Sequence, residues 1–170
     1  MNNLILLITA LATALITGLF YGYSCSVNIG LGQLTDKEYL NAMQVINTSI
    51  LNPWFFLSFT GTLLLLPISA WMQFYSANTI GSSLLLAATL IYIIGVFGVT
   101  AFGNVPLNEQ LASANLQTLS VQNISAVRTA FEKPWLHYHQ IRAWASIITL
   151  ILVLYSCILI NPLKTLSETA

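Results

Sequence analysis

The sequence predicts an all-α integral membrane protein, an antiparallel four-helix bundle with two longer helical connections on one membrane face. Its 170 residues include only 5 basic and 5 acidic side chains, while 56% are apolar and the mean hydropathy is +0.78. Soluble domains are about a quarter charged, so this composition excludes an ordinary water-exposed globule. The charges are also confined, with none between Glu38 and Glu109, a stretch long enough for two consecutive spans. Four apolar runs, residues 4–26, 53–75, 82–102 and 139–160, each approach the roughly 20 residues that cross about 30 Å of hydrocarbon. Residues 1–170 are read as a single membrane domain.

The first run has small-residue patterns at Ala10-Leu-Ala12 and Ala12-Thr-Ala14 that would suit signal-peptide cleavage. Met-Asn-Asn supplies no basic side chain before it, and the apolar run continues well beyond those sites, so a retained span is the expectation. Two stripes run along it. Ala14, Gly18, Gly22, Ser26 and Gly30 form a small-xxx-small face suited to close helix approach, and a homo-oligomer through Gly18 and Gly22 is one use for it. Thr9, Thr13, Thr17, Tyr21, Ser24 and Asn28 form a hydroxyl-rich face that either bonds helix backbone or lines a cavity.

Ser76 to Thr79 with Gly81 is too short a link for anything but a hairpin between the second and third spans. The longer connections therefore share the other end. The first of them contains Thr35-Asp-Lys-Glu38, a capping-box pattern, followed by Tyr39, Met43, Ile46 and Ile50 at helical spacing. The second opens on Asn104-Val-Pro-Leu-Asn108 and carries a helix around residues 120–133, which Pro134 is expected to end or bend sharply. Pro67 is expected to kink the second span, and Gly95 and Gly98 to thin the third for packing. Lys37, Arg128, Lys133 and Arg142 lie on the long-connection side against Lys164 on the other, a bias that faces the long connections to the cytoplasm.

The absence of a basic cluster gives no footprint for nucleic-acid binding. Cys25 and Cys157 lie in apolar runs and read as small apolar residues rather than a disulfide or CxxC site. His137 and His139 are two apart, on different helix faces, and no zinc- or iron-type spacing completes a site from Glu109, Glu132 or Asn108, so no metal and no cofactor is expected. Trp135, His139, Arg142 and Ser146 share one face if the helix already includes Trp135. Arg142 either snorkels to the interface or anchors an anion or carbonyl oxygen, with His139 as a base or hydrogen-bond donor. Asn104 and Asn108 either cap and turn the chain or point into the same mouth, and Asn28 and Asn52 bring amides to that level.

Several of these residues form a recognisable series. Gly18-Leu-Phe-Tyr-Gly-Tyr23, Met43-Gln-Val-Ile-Asn47, Asn52-Pro-Trp54, Asn104-Val-Pro-Leu-Asn108, and Phe131-Glu-Lys-Pro-Trp135 leading to His139-Gln-Ile-Arg142 follow one another along nearly the whole chain. In this the chain resembles the DUF1772 family, small four-span membrane proteins that include the fungal anthrone oxygenases. The resemblance implies a four-helix membrane bundle, and for some relatives oxidation of an anthrone by molecular oxygen without an evident flavin or haem motif. Carried over by position, it implies a site lined by Asn104, Asn108, Trp135, His139 and Arg142.

Two functions follow as expectations. One is an oxygenase acting on a hydrophobic aromatic or phenolic molecule. There His139 takes a proton, Arg142 with Asn104 and Asn108 stabilises the oxyanion, and Trp135 packs against the rings, with Asn28 and Asn52 as further contacts. The other is a non-catalytic membrane protein, a lipid or quinone binder or an accessory subunit.

Overall fold

The computed structural model describes residues 2–160. They form helices and turns, with no strand among the described residues. Lys164 and Glu168, part of the charge inventory, lie outside them. Helix α1 (Asn2–Gly22) passes through a π-helical turn (Tyr23–Val27) into α2 (Asn28–Gly32), followed by α3 (Asp36–Ser49) and α4 (Pro53–Tyr75). Helix α5 (Thr79–Ile91) continues through π-helical segments at Tyr92–Gly98 and Thr100–Asn104 into α6 (Val105–Ser113), and α7 spans Val121–Ile160. Four helical stretches, Asn3–Gly32, Pro53–Tyr75, Thr79–Ser113 and Val121–Leu159, are long and apolar enough to cross a membrane.

The spans close into a ring: α1 packs on α4, α4 on α5, α5 on α7 and α7 on α1. Lipid tails are as apolar as leucine, so this packing rests on shape and interhelical hydrogen bonds, each worth about 0.6 kcal/mol on average. Thr9 Oγ1 meets Ser69 Oγ at 2.7 Å, Thr17 donates to the Ser146 carbonyl at 3.1 Å, and the Tyr92 hydroxyl donates to the Phe59 carbonyl at 2.8 Å. The threonines of the first span's polar stripe thus bond backbone and neighbouring helices, while Tyr21 is exposed. A Cβ on Gly95, in the π-helical segment Tyr92–Gly98, would lie 2.7 Å from the Ala145 Cβ, so this glycine does set the approach of the third span to α7. The opposite holds for the small-residue stripe, where Cβ atoms on Gly18, Gly22 or Gly30 would meet nothing within 4 Å.

Asn78 caps α5 by accepting from the Gly81 amide at 3.0 Å, which completes the expected hairpin. At the other end both long connections pack together. Tyr39, Leu40 and Met43 of α3 form a second core with Leu111, Leu116, Ile124, Phe131 and Trp135, separate from the core between the spans. The capping box forms, with the Glu38 carboxylate accepting from the Thr35 amide at 3.1 Å and hydroxyl at 2.6 Å. Arg128 fastens the start of α3 to α7: it donates to the Gly32 and Leu34 carbonyls, pairs with Asp36 at 3.0 Å and Glu132 at 2.8 Å, and lies 4.5 Å over the Tyr39 ring. Burial and the Glu132 carboxylate raise the Tyr39 phenol above its ordinary range, against the opposing pull of Arg128.

Two expectations are corrected. Pro134 neither ends nor interrupts a helix, since α7 is one helix of 40 residues that joins the connection to the fourth span. The missing amide removes one intrahelical bond, but buried Phe131 and Trp135 hold the helix on either side of it, and Asn104 Nδ2 donates to the Trp135 carbonyl at 3.1 Å. The Asn104–Asn108 segment is likewise helical rather than a turn. Pro106 falls in the first turn of α6, where its lack of an amide costs little, so the third span runs on to Ser113. Pro67 also stands inside an unbroken helix, α4.

Candidate functional site

Wide helical turns position the polar residues at the junction of the two cores. In the first, the Asn28 amide bonds the Tyr23 carbonyl, and in the second and third the Val99 and Val105 amides bond the Ile94 and Thr100 carbonyls, all with i to i+5 spacing. Such turns are uncommon and concentrate at functional sites. Here they present Tyr23 and Ser24 from one side and Thr100 and Asn104 from another. Gly103 allows the approach to α7, because a Cβ there would lie 2.7 Å from the Tyr138 ring.

Trp135 is the hub. Its indole Nε1 donates to Asn108 Oδ1 at 2.9 Å, its carbonyl accepts from Asn104, and its ring stacks on His139 with centroids 5.3 Å apart and planes 6° from parallel. His139 Nε2 meets Ser24 Oγ at 2.9 Å, and its Nδ1 meets Arg142 Nη2 at 3.4 Å. A guanidinium can only donate. Nδ1 therefore accepts, the ring proton resides on Nε2 and goes to Ser24 Oγ, and Ser24 donates to the Phe20 carbonyl at 3.1 Å.

Arg142 does not snorkel outward. It is only 8% exposed and is held between aromatic faces, 4.6 Å from the Phe20 centroid and 5.2 Å from that of Trp135. No carboxylate of the described residues pairs with it, the two ion pairs there both belonging to Arg128. Its Nε is buried without a partner. An unpaired buried cation is costly, and the aromatic faces offset part of that cost by cation–π attraction.

Arg142 forms part of the wall of a cavity of about 250 Å³, near the lower end of the ~300–1,000 Å³ usual for small-molecule pockets. Its aromatic wall is Phe20, Tyr23, Phe55 and Trp135, its roof comes from the second half of α3 through Gln44 and Asn47 with Ile50 just past the helix end, and α6 adds Asn108 and Glu109. Of the residues expected at the site, Trp135, Arg142 and Asn108 line this cavity, while His139 and Asn104 stand behind it as partners of those that do. Asn28 and Asn52 do not line it. Asn52 is instead the N-cap of α4, its Oδ1 accepting from the Trp54 and Phe55 amides at 3.1 Å each. Phe20, Asn47, Thr100 and Glu109 line it without having been singled out as contacts. Phe20 and Asn47 fall inside the motifs that carry the family resemblance, which is the signal the sequence offers for them.

Among the described residues no three His, Cys, Asp or Glu side chains gather as a metal-ligand set, and both cysteines are free thiols.

A ring of four apolar helices whose polar chemistry is gathered at one end, around a buried arginine, defines a four-span membrane protein. The family model for anthrone oxygenase matches residues 54–152, and the chain belongs to that family. The matched region contains Asn104, Asn108, Trp135, His139 and Arg142, and leaves α1 and α3 outside it. No curated protein and no solved structure matches the chain.

Proposed function

We propose that the cavity binds a flat, hydrophobic phenolic molecule of the anthrone type and promotes its oxidation by molecular oxygen. The observation that carries this reading is Arg142: a buried guanidinium without a carboxylate partner, set between aromatic faces on a cavity wall, is complementary to an aromatic enolate or phenolate oxygen. Binding the oxyanion there favours loss of a proton from the activated methylene across the central ring, whose charge is delocalised onto that oxygen. The resulting carbanion adds oxygen to give a hydroperoxide, which loses water to leave the new carbonyl.

Glu109 is the acidic side chain on the cavity wall and is assigned the proton. His139 receives a different role from the base first expected of it, because its Nδ1 lone pair is engaged by Arg142 and Trp135 separates it from the cavity. It acts as a positioning residue for the guanidinium. Asn108 fixes the indole wall through Trp135 Nε1, and Asn104 fixes the same residue through its carbonyl. The basic residues of the long connections support a cytoplasmic position for this end.

The test is oxygen uptake and product formation by the purified protein in lipid nanodiscs supplied with a hydroxylated anthrone. Uptake that is lost in Arg142→Met and slowed in Glu109→Gln supports the proposal. Tight binding with no uptake overturns the oxidation step and leaves a binder of phenols or quinones. No binding overturns the whole reading.

A further inference from the structure

The roof of the cavity carries a polar group that anchoring one oxygen at Arg142 does not use. Helix α3 brings Gln44, Asn47 and Thr48 to the wall. Gln44 Nε2 is committed to the Leu111 and Ala114 carbonyls at 2.8 and 3.1 Å, and Thr48 Oγ1 to the Gln44 carbonyl at 3.0 Å. Asn47 Nδ2 is buried with no partner. Among the other lining residues, Arg142 Nε and Thr100 Oγ1 are unpartnered as well, and Phe20 and Phe55 supply apolar wall. A buried amide N–H without a partner is disfavoured, and native structures rarely keep one without a reason. The position is not loose. Gln44 ties the helix to the end of α6, and Arg128 ties its start to α7, so the stretch of α3 that carries Asn47 is held at the cavity wall by both.

We infer that Asn47 is a specificity-determining residue: its Nδ2 donates a hydrogen bond to a second oxygen substituent of the bound aromatic, remote from the oxygen at Arg142. The site then selects planar molecules oxygenated at two separated edges over those oxygenated at one. A site built to hydrogen-bond a hydroxyl rejects the analogue lacking it, because its own polar group is left unpaired. This inference rests on the proposed binding of a phenolic aromatic in the same cavity.

The experiment compares two probes, bound anaerobically to the full chain in nanodiscs and followed by quenching of tryptophan fluorescence. One is a dihydroxyanthrone with both hydroxyls beside the carbonyl. The other is the trihydroxyanthrone that adds a hydroxyl on the far side of one ring. The unaltered protein is expected to bind the second about tenfold more tightly. Asn47→Leu abolishes that preference, weakening the second probe while the first binds as well as before or better, because no unpaired amide is left against it. Asn47→Ala, which removes the amide without adding bulk or a new acceptor, does the same and serves where Leu disturbs folding. If both probes bind and the preference survives in both variants, or both probes weaken equally, the role of Asn47 is overturned while the cavity reading stands. If neither probe binds the unaltered protein, it is the cavity reading that fails.

Discussion

The indole of Trp135 and the imidazole of His139 lie one helical turn apart and stack almost parallel, with centroids 5.3 Å apart. This places the histidine behind the cavity wall, bonded to Ser24 on one side and Arg142 on the other. A positioning role makes a distinct prediction from a base. Glutamine can offer an acceptor toward Arg142, so His139→Gln should retain oxygen uptake within about tenfold, whereas a lost general base typically costs roughly 100-fold or more. His139→Leu, which leaves the guanidinium without its acceptor, should raise the KM for an anthrone more than it lowers kcat. Steady-state kinetics on the two variants separates the roles.

Arg142→Met should divide stability from function. The substitution removes an unpaired buried cation and supplies an apolar side chain of similar length, so the thermal unfolding temperature in detergent should equal or exceed that of the parent. Turnover should fall by about 100-fold or more, as for loss of an oxyanion donor. A variant that unfolds earlier than the parent would show that the guanidinium holds the bundle together.

Trp135 is 3% exposed and contributes to the second core. Trp135→Ala should destabilise by about 3–5 kcal/mol, the usual loss for a buried large aromatic. Trp135→Phe retains most of the apolar wall and leaves Asn108 Oδ1 without its donor, so about 1–2 kcal/mol is expected from it. Chemical denaturation followed by circular dichroism provides the comparison.

Close packing at two glycines gives a control against the open stripe. Gly95→Ala and Gly103→Ala drive a methyl toward the Ala145 Cβ and the Tyr138 ring, and each should cost about 1–3 kcal/mol. Gly18→Ala and Gly22→Ala meet no atom of the chain, so their folding should match or slightly exceed the parent, helped by the better helix propensity of alanine.

The capping box gives a pH dependence with a definite sign. The Thr35 hydroxyl and amide hold the Glu38 carboxyl below its ordinary value, so the folded form binds its proton less readily than the unfolded chain. Its stabilisation is therefore present above the unfolded carboxyl value of about 4.3 and is lost as pH falls through the lower folded value. Amide hydrogen exchange at the start of α3 should accelerate over that window, and Glu38→Gln should flatten the response.

Much of the architecture is legible in the residues. The gap in charge between Glu38 and Glu109 announces a hairpin, and Thr35 with Glu38 announces the start of α3. Proline is where the reading departs from the structure. Pro134 reads as the end or a sharp bend of a helix, and Asn104 and Asn108 around Pro106 as either a turn or part of the mouth, yet Phe131 and Trp135 hold α7 through the first proline, and the second falls in a helical first turn. Tertiary contacts decide whether one missing hydrogen bond stops a helix, and periodicity contains no record of them. The site was legible as a face of α7, because Trp135, His139 and Arg142 repeat at helical spacing. Which of these would reach the cavity was not, since that depends on the wide turn at Tyr23–Val27 and on the placement of α3. Asn47 and Glu109 reach the wall only through the docking of α3 and the continuation of the third span into α6.

At 40 residues, α7 is roughly 60 Å long, about twice the hydrocarbon thickness. Trp135 to Arg142 lie near its middle, where the apolar half gives way to the half that carries Arg128. A molecule with a greasy ring system and phenolic edges accumulates at that same depth in a bilayer, and oxygen dissolves better in the lipid than in the water above it. For the reaction proposed above, the membrane would act as a reservoir, gathering both reactants into a thin layer and delivering them by lateral diffusion. Apparent affinities quoted per volume of buffer should consequently shift with the lipid-to-protein ratio, while affinities quoted per mole of lipid stay constant.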